Sequence, residues 1–233
     1  MDIHSKISQL IHIGESKAVK AMLNNIHHSN KDSLHVQCLH SSVAVQNYEM
    51  ADYFIKKVPS HKDTAQVFKI AIRGHDHKMV DILLKNKPNT MVCSEAVLEA
   101  IEYNDTMTIK KMLLLSDFTS RPANYMQYAI LHGSHQSLLY LFQTQTPSDE
   151  IMEILLTDAL HPGYHDQKML QILDETMSYS STQQLQKTAK KYSPHSTNPN
   201  VQRLREYCAI RTQHEAIAAA VEVCERPTSA RKM

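Results

Sequence analysis

The hydrophobic positions of this chain recur with a period of about 29 residues. Three segments, beginning at Phe68, Val97 and Met126, align without gaps. Six apolar columns run through them: Phe68/Val97/Met126, Ala71/Ala100/Ala129, Ile72/Ile101/Ile130, Val80/Ile109/Leu138, Leu83/Met112/Leu141 and Leu84/Leu113/Phe142. Apolar columns that stay aligned over three units indicate an internal structural repeat.

Within each unit the spacing is that of two helices joined by a turn. In the first unit the apolar positions are Phe68, Ala71 and Ile72, then Val80, Leu83 and Leu84. Both sets follow i, i+3, i+4, which places them on one face of a helix. Between them lies Gly74, Asn104 or Gly133, residue types that tolerate the left-handed backbone of a helix end. Each unit is therefore predicted to be a helix–turn–helix.

Weaker copies flank the three central units. Downstream, the columns of the first helix are filled by Leu156, Ala159 and Leu160. After an insertion at 161–163, those of the second helix are filled by Met169, Ile172 and Leu173. Upstream, if the turn is shortened at Asn47, they are filled by Ala44, Val45, Ala51, Phe54 and Ile55. The first copy uses Ile7, Leu10, Ile11, Gly14, Val19, Met22 and Leu23. Residues 1–178 are therefore predicted to form an all-α solenoid of about six helix–turn–helix repeats.

The pattern breaks after residue 178. A polar stretch with Pro194 and Pro199 predicts a short helix over 182–192 and a linker, and residues 201–225 predict a long helix. Its apolar residues fall on two neighbouring faces: Val201, Leu204 and Cys208, then Ile210, Ile217, Val221 and Cys224. Residues 179–233 are predicted to be a linker, a capping helix on the last repeat and a basic tail. The alternative, a partner-binding helix or oligomer seam, is disfavoured because Arg211 interrupts the heptad.

Composition narrows the class of protein. Four glycines in the whole chain disfavour β-sandwiches, β-barrels and glycine-rich nucleotide loops, and a net charge of +1 gives no field for nucleic acid. The four cysteines form no CxxC pair, which predicts reduced thiols and a cytoplasmic protein. We expect no cleavable signal peptide, because no basic start is followed by an apolar segment. We also expect no membrane insertion, because no apolar run approaches the roughly 18 residues that a spanning helix needs.

Fifteen histidines raise the question of a metal site. His75-x-His77, His132-x-x-His135 and His161-x-x-x-His165 all fall in predicted turns, and Cys38-x-His40 lies near His35. A zinc site needs three or four converging ligands. The favoured interpretation is that these histidines order turns or face solvent, so no metal or other cofactor is expected.

No catalytic motif of the HExxH, GxSxG or GKS/T type occurs in the chain. Glu95, Glu99 and Glu102 are predicted to be helix-surface carboxylates. No catalytic residue is therefore predicted. The alternative is an enzyme, or the regulatory subunit of one, with a cryptic or His-based metal site.

The segment AIRGHDHKMVDILL at 71–84 resembles the second half of an ankyrin repeat, A-x-x-G-H-x-x-x-x-V-x-x-L-L. The TPLH box that opens an ankyrin repeat is absent, and the spacing between copies is shorter than in a standard ankyrin array. The resemblance implies that the finger between repeats is reduced to a plain loop. It also implies a non-enzymatic scaffold, inhibitor or microbial effector that is delivered into a host cell and binds a protein on the concave face of the solenoid.

The resemblance also points to the binding residues, because in ankyrin-type arrays the residues just before the turn line the concave rim. Carried onto this chain, they are Gln46, Arg73, Glu102, Tyr103, Leu131, His132 and His161. The expected partner is another protein, either a host or a regulatory target, and the chain is expected to be a monomer. Tyr125 and Tyr128 are further aromatic candidates, at least one of which should belong to the core.

Overall fold

The computed structural model describes residues 3–25, 31–58, 61–115, 122–161 and 167–225. In these residues the regular secondary structure is fourteen α-helices with no strand, which confirms the all-α prediction. The helices are α1 (Ile3–His12), α2 (Ser16–Asn24), α3 (Lys31–Ala44), α4 (Tyr48–Ile55), α5 (His61–Arg73), α6 (His77–Leu84), α7 (Thr90–Glu102), α8 (Thr106–Leu115), α9 (Pro122–Leu131), α10 (His135–Thr144), α11 (Asp149–Ala159), α12 (Gln167–Tyr179), α13 (Thr182–Lys190) and α14 (Pro199–Glu225). None of these helices, over the ranges described, is both long enough and apolar enough to cross a membrane.

The chain divides into two compact units, Met1–Tyr128 and Ala129–Met233. In the first unit, consecutive helices pair as the hairpins α1–α2, α3–α4, α5–α6 and α7–α8. Alternate helices also pack on one another. One layer runs α1, α3, α5, α7, and a second layer runs α4, α6, α8. Each hairpin therefore lies beside the next, with the apolar columns between them.

In the second unit α12 packs against α10 and α11, α13 against α11, and α14 against both α12 and α13. Val201, Leu204 and Cys208 are buried, as the sequence predicts for one face of the long helix. Beyond them residues 209–221 are exposed except for half-buried Arg211, whose guanidinium donates hydrogen bonds to the carbonyls of Met177 and Ser180. Of the predicted downstream columns, Leu156, Ala159, Leu160, Ile172 and Leu173 are buried, and the side chain of Met169 lies outside the described residues.

The same turn joins the two helices of five successive pairs, from α1–α2 to α9–α10. Each turn has one residue in the left-handed region: Gly14 (φ 82°), Gln46 (56°), His75 (50°), Asn104 (54°) and Gly133 (67°). In each, two backbone hydrogen bonds close the first helix, as when His75 N–H donates to Ile72 and Asp76 N–H to Ala71, both at 2.9 Å. This pair of bonds is the Schellman motif, which satisfies the last carbonyls of a helix.

The residue after the left-handed position is the N-cap of the second helix. The side chains of Asn47, Asp76 and Asp105 each accept a hydrogen bond from the backbone N–H three residues further on, at 3.2, 2.9 and 3.0 Å. Such an N-cap satisfies one of the N–H groups that have no partner within the helix. Ser134 fills the same position before α10 without a side-chain cap. Stop and start signals are thus adjacent in sequence, which explains the tight hairpins.

The structure corrects the predicted alignment of the second copy. The positions equivalent to Phe68, Ala71 and Ile72 are Leu39, Ser42 and Val43, all of which are buried. Ala44 is instead exposed and Val45 half-buried. Because the left-handed residue is Gln46, the turn is not shortened at Asn47, and the repeat spacing holds through four successive turns.

The sequence predicts Gly74 in the turn, but the left-handed residue there is His75. A Cβ added to Gly74 would lie 3.5 Å from the Ile70 carbonyl oxygen and 3.7 Å from that of Ala71, which is ordinary contact. We expect Gly74→Ala to be neutral or to stabilise the protein by up to about 1 kcal/mol, because alanine restricts the unfolded chain. Gly14→Ala should instead destabilise it by about 1–2 kcal/mol, since φ is +82° there. Urea unfolding of both variants checks this, and equal effects would contradict the turn assignment.

Candidate functional site

Three of the predicted binding residues lie close together at the turn ends of α5 and α7 in the first unit. Arg73 is the last residue of α5, Glu102 is the last of α7, and Tyr103 follows it. All three are exposed. Leu131, His132 and His161 belong to the second unit and are also exposed.

Gln46 does not occupy the position that the alignment assigns to it. It is the left-handed turn residue itself, whereas Arg73 and Glu102 each precede theirs by two positions. The residue equivalent to Arg73 in the second hairpin is Ala44, which is exposed. The error has the same origin as the shifted alignment of α3, and a contact between Gln46 and a partner stays a prediction.

Two ion pairs join α5 to α7, one helical turn apart. Lys69 Nζ lies 3.2 Å from Glu95 Oε2, and Arg73 Nε donates to Glu99 Oε1 at 2.5 Å. The predicted surface position of Glu99 is wrong, since its side chain is only 7% exposed whereas that of Arg73 is 53% exposed. Glu99 raises the pKa of Arg73 through this hydrogen bond. A buried carboxylate therefore fixes a solvent-facing guanidinium.

The same guanidinium lies beside an aromatic ring. Arg73 Cζ is 5.9 Å from the centroid of the Tyr103 ring, within the range of a cation–π contact. In α9, the Tyr128 hydroxyl donates a hydrogen bond to Glu102 Oε2 at 3.4 Å. Burial and the charge of Glu102 raise the pKa of Tyr128, so this hydroxyl stays protonated. We call Arg73, Glu99, Glu102, Tyr103 and Tyr128 the arginine–tyrosine cluster.

Of the two further tyrosines, Tyr125 is a core residue, as predicted for at least one of the pair. It is 5% exposed, and its hydroxyl contacts Ser94 Oγ at 3.4 Å. Tyr128 is half-buried and belongs to the arginine–tyrosine cluster. Neither the burial of Glu99 nor the link from Tyr128 to Glu102 could be inferred from the repeat pattern, because both depend on a partner in a neighbouring helix.

Cysteine chemistry finds no support at the described thiols. Burial raises the pKa of Cys38 to about 12 and also raises the pKa of Cys93 and of Cys208. A raised pKa keeps an unliganded thiol protonated at neutral pH, whereas a cysteine nucleophile must be a thiolate. Among the described residues, Cys38 and His40 belong to no group of three or more side chains spaced for a metal ion.

The histidine motifs differ in their surroundings. His135 Nε2 lies 3.3 Å from Glu175 Oε1, and His165 lies outside the described residues. His75 and His77 lie beside Asp105 of the next hairpin, with their ligand atoms all within 4.8 Å of one another. Within the described ranges this is the one group of three or more His, Cys, Asp or Glu side chains spaced for a metal ion. Asp105 could have been found from sequence, since Asn47, Asp76, Asp105 and Ser134 form a column of helix-capping residues.

The chain matches no protein-family model, no curated protein and no solved structure. Its function is therefore inferred from its own residues.

Proposed function

We propose that this chain is a non-catalytic protein-binding module, built as a solenoid of ankyrin-like repeats. The arginine–tyrosine cluster is its recognition surface. The observation that carries the proposal is the pairing of exposed Arg73 with buried Glu99 beside the exposed ring of Tyr103. The recurrence of one turn and one capping position, evenly spaced from Gln46 to Gly133, supports the repeat architecture.

The composition of the cluster suits protein recognition. Arginine and tyrosine are enriched among the residues that dominate binding energy at protein interfaces. Arg73 offers a planar set of donors, Glu102 a carboxylate, and Tyr103 a large ring. A partner of matching chemistry would present a carboxylate to Arg73 and a donor to Glu102.

The cluster is also held in place before any partner binds. Glu99 fixes Arg73, and Tyr128 contacts Glu102. Ordering a side chain on binding costs about 0.5–1.5 kcal/mol, and a side chain that is already ordered avoids much of this cost. The proposal includes Leu131, His132 and His161 as further contacts, a cytoplasmic monomer, and a host or regulatory protein as the partner.

The test is affinity capture by the tagged full-length chain. We expect Tyr103→Ala and Arg73→Lys each to reduce the recovery of specifically bound proteins at least tenfold, as loss of about 1.4 kcal/mol or more implies. Arg73→Lys keeps a positive charge near Glu99 but loses the planar guanidinium and its paired N–H donors. Quantitative mass spectrometry of the captured proteins gives the measurement.

Met107→Ala is the matched control, because Met107 is an exposed apolar residue of the same unit at the start of α8. All variants should melt within about 2 °C of the wild type, as expected of surface substitutions that cost about 0.5 kcal/mol or less. Unchanged capture by Tyr103→Ala and Arg73→Lys, with native stability, would remove the cluster as the recognition surface.

A further inference from the structure

Two neighbouring turns of the first unit bring three metal-ligating side chains together. His75 is the left-handed residue of the α5–α6 turn, and His77 is the first residue of α6. Asp105 precedes α8 in the next turn and is 2% exposed. The repeat spacing places the two turns side by side, so residues distant in sequence face one another. We propose that His75, His77 and Asp105 bind one Zn²⁺ ion.

The distances fit such an ion after small side-chain movements. The candidate ligand atoms lie within 4.8 Å of one another, and His77 Nε2 is 2.9 Å from Asp105 Oδ1. Two ligand atoms at about 2.0–2.1 Å from a tetrahedral ion lie about 3.3 Å apart. His77 and Asp105 would therefore separate by a few tenths of an ångström, and His75 would rotate inward. His75 is exposed, so its ring has room to do so.

The donor set is typical of zinc. Two imidazole nitrogens and one carboxylate oxygen are ligands that Zn²⁺ prefers, and a water molecule completes four coordination. The site is also supported from behind, because Asp105 accepts hydrogen bonds from the backbone N–H of Thr108 at 3.0 Å and from its hydroxyl at 2.6 Å. Such outer contacts orient a ligand before the metal arrives. The nearby ammonium of Lys111 is paired with Asp81 at 2.6 Å.

The preceding turn, between α3 and α4, carries different side chains at the positions equivalent to His75 and His77. There the residues equivalent to His75, His77 and Asp105 are Gln46, Tyr48 and Asp76. The Tyr48 hydroxyl donates to Asp76 Oδ1 at 3.4 Å, just as His77 contacts Asp105. The hairpin contact therefore does not need an imidazole. Two histidines at these positions, facing a buried carboxylate, add the capacity to hold an ion.

The neighbouring turns suggest two substitutions that remove a zinc ligand and keep the turn. His77→Tyr copies the preceding turn, so it should keep the contact with Asp105 while removing a zinc ligand. His75→Asn copies the next turn, where Asn104 adopts the same left-handed backbone. His195→Asn, at an exposed histidine between α13 and α14, is the control.

Zinc titration of the full chain by calorimetry, after removal of metal with a chelator, should give one equivalent bound. We expect His77→Tyr and His75→Asn each to weaken binding at least tenfold, and His195→Asn to leave it unchanged. Zinc at about 100 times its dissociation constant should raise the melting temperature of the wild type by roughly 5 °C, and that of His77→Tyr much less. Co²⁺ in place of zinc should give the visible absorption of a tetrahedral site.

Either of two results would overturn the zinc proposal. If the wild type binds no stoichiometric zinc, or if His77→Tyr and His75→Asn bind it as tightly as the wild type does, the three residues form only a contact between hairpins. Melting of every variant in chelator shows whether a loss of zinc binding reflects a loss of fold. Partner capture by the arginine–tyrosine cluster is scored separately and does not depend on this site.

Discussion

Replacing Leu39 by alanine is expected to lower the free energy of unfolding by about 2–5 kcal/mol. Leu39 is 0% exposed and occupies in α3 the place that Phe68 occupies in α5. Removing its side-chain carbons leaves a cavity between neighbouring hairpins, because a helix flanked by others cannot collapse freely into the space. Urea unfolding followed by circular dichroism gives the measurement.

Leu114→Ala is the matched control, since it makes the same chemical change at a residue of the same unit that is 78% exposed. We expect it to change the free energy of unfolding by no more than about 0.5 kcal/mol. Equal effects at Leu39 and Leu114 would mean that the repeated apolar columns do not extend into α3.

Arg73→Ala is expected to cost about 1–3 kcal/mol of stability, because it leaves the carboxylate of Glu99 buried without its cation. The Glu99 side chain is 7% exposed, and a buried charge that has lost its partner is destabilising. The cost stays below that of a fully buried pair because Arg73 itself is 53% exposed and solvent screens the interaction. Adding Glu99→Gln to Arg73→Ala should recover part of the loss, since the amide carries no charge.

The ion pair of Lys69 with Glu95, between the same two helices, provides a comparison for the effect of Arg73→Ala on stability. Lys69→Ala removes a cation from the same two helices, but its partner Glu95 is 38% exposed and can be hydrated. We expect a cost below about 1 kcal/mol, as for other surface ion pairs. Denaturation curves that show equal losses for Arg73→Ala and Lys69→Ala would contradict the structural role given to Glu99.

The fold is predictable from sequence wherever burial is periodic. The columns through Phe68, Val97 and Met126 predict the hairpins because helices show apolar residues at i, i+3 and i+4. The second copy is misaligned from sequence because Ser42 is polar in a column of alanines. Its hydroxyl donates to the Cys38 carbonyl at 2.6 Å, which makes its burial tolerable. Hydropathy alone does not register such a hydrogen bond.

Two features, the backbone of the α5–α6 turn and the ion pair of Arg73, could not be predicted from the sequence. A glycine next to a histidine suggests that the glycine is left-handed, yet His75 adopts that backbone conformation. The sequence places Arg73, Glu102 and Tyr103 near turns. The buried partner of Arg73 is Glu99, a charged residue that the sequence predicts to lie on the helix surface. Pairing between helices is set by how the hairpins lie together, and no single helix carries that information.

The recurring turn has a consequence for how the chain can change in length. The left-handed residues Gln46, His75, Asn104 and Gly133 are evenly spaced along the chain, whereas the interval from Gly14 to Gln46 is longer. One residue added inside a helix would rotate every later side chain by about 100°, which removes the apolar face from the core. Residues added between hairpins leave both helices in phase. Gene duplications or deletions that comprise a whole hairpin should therefore preserve packing, and small insertions should survive selection where one hairpin ends and the next begins.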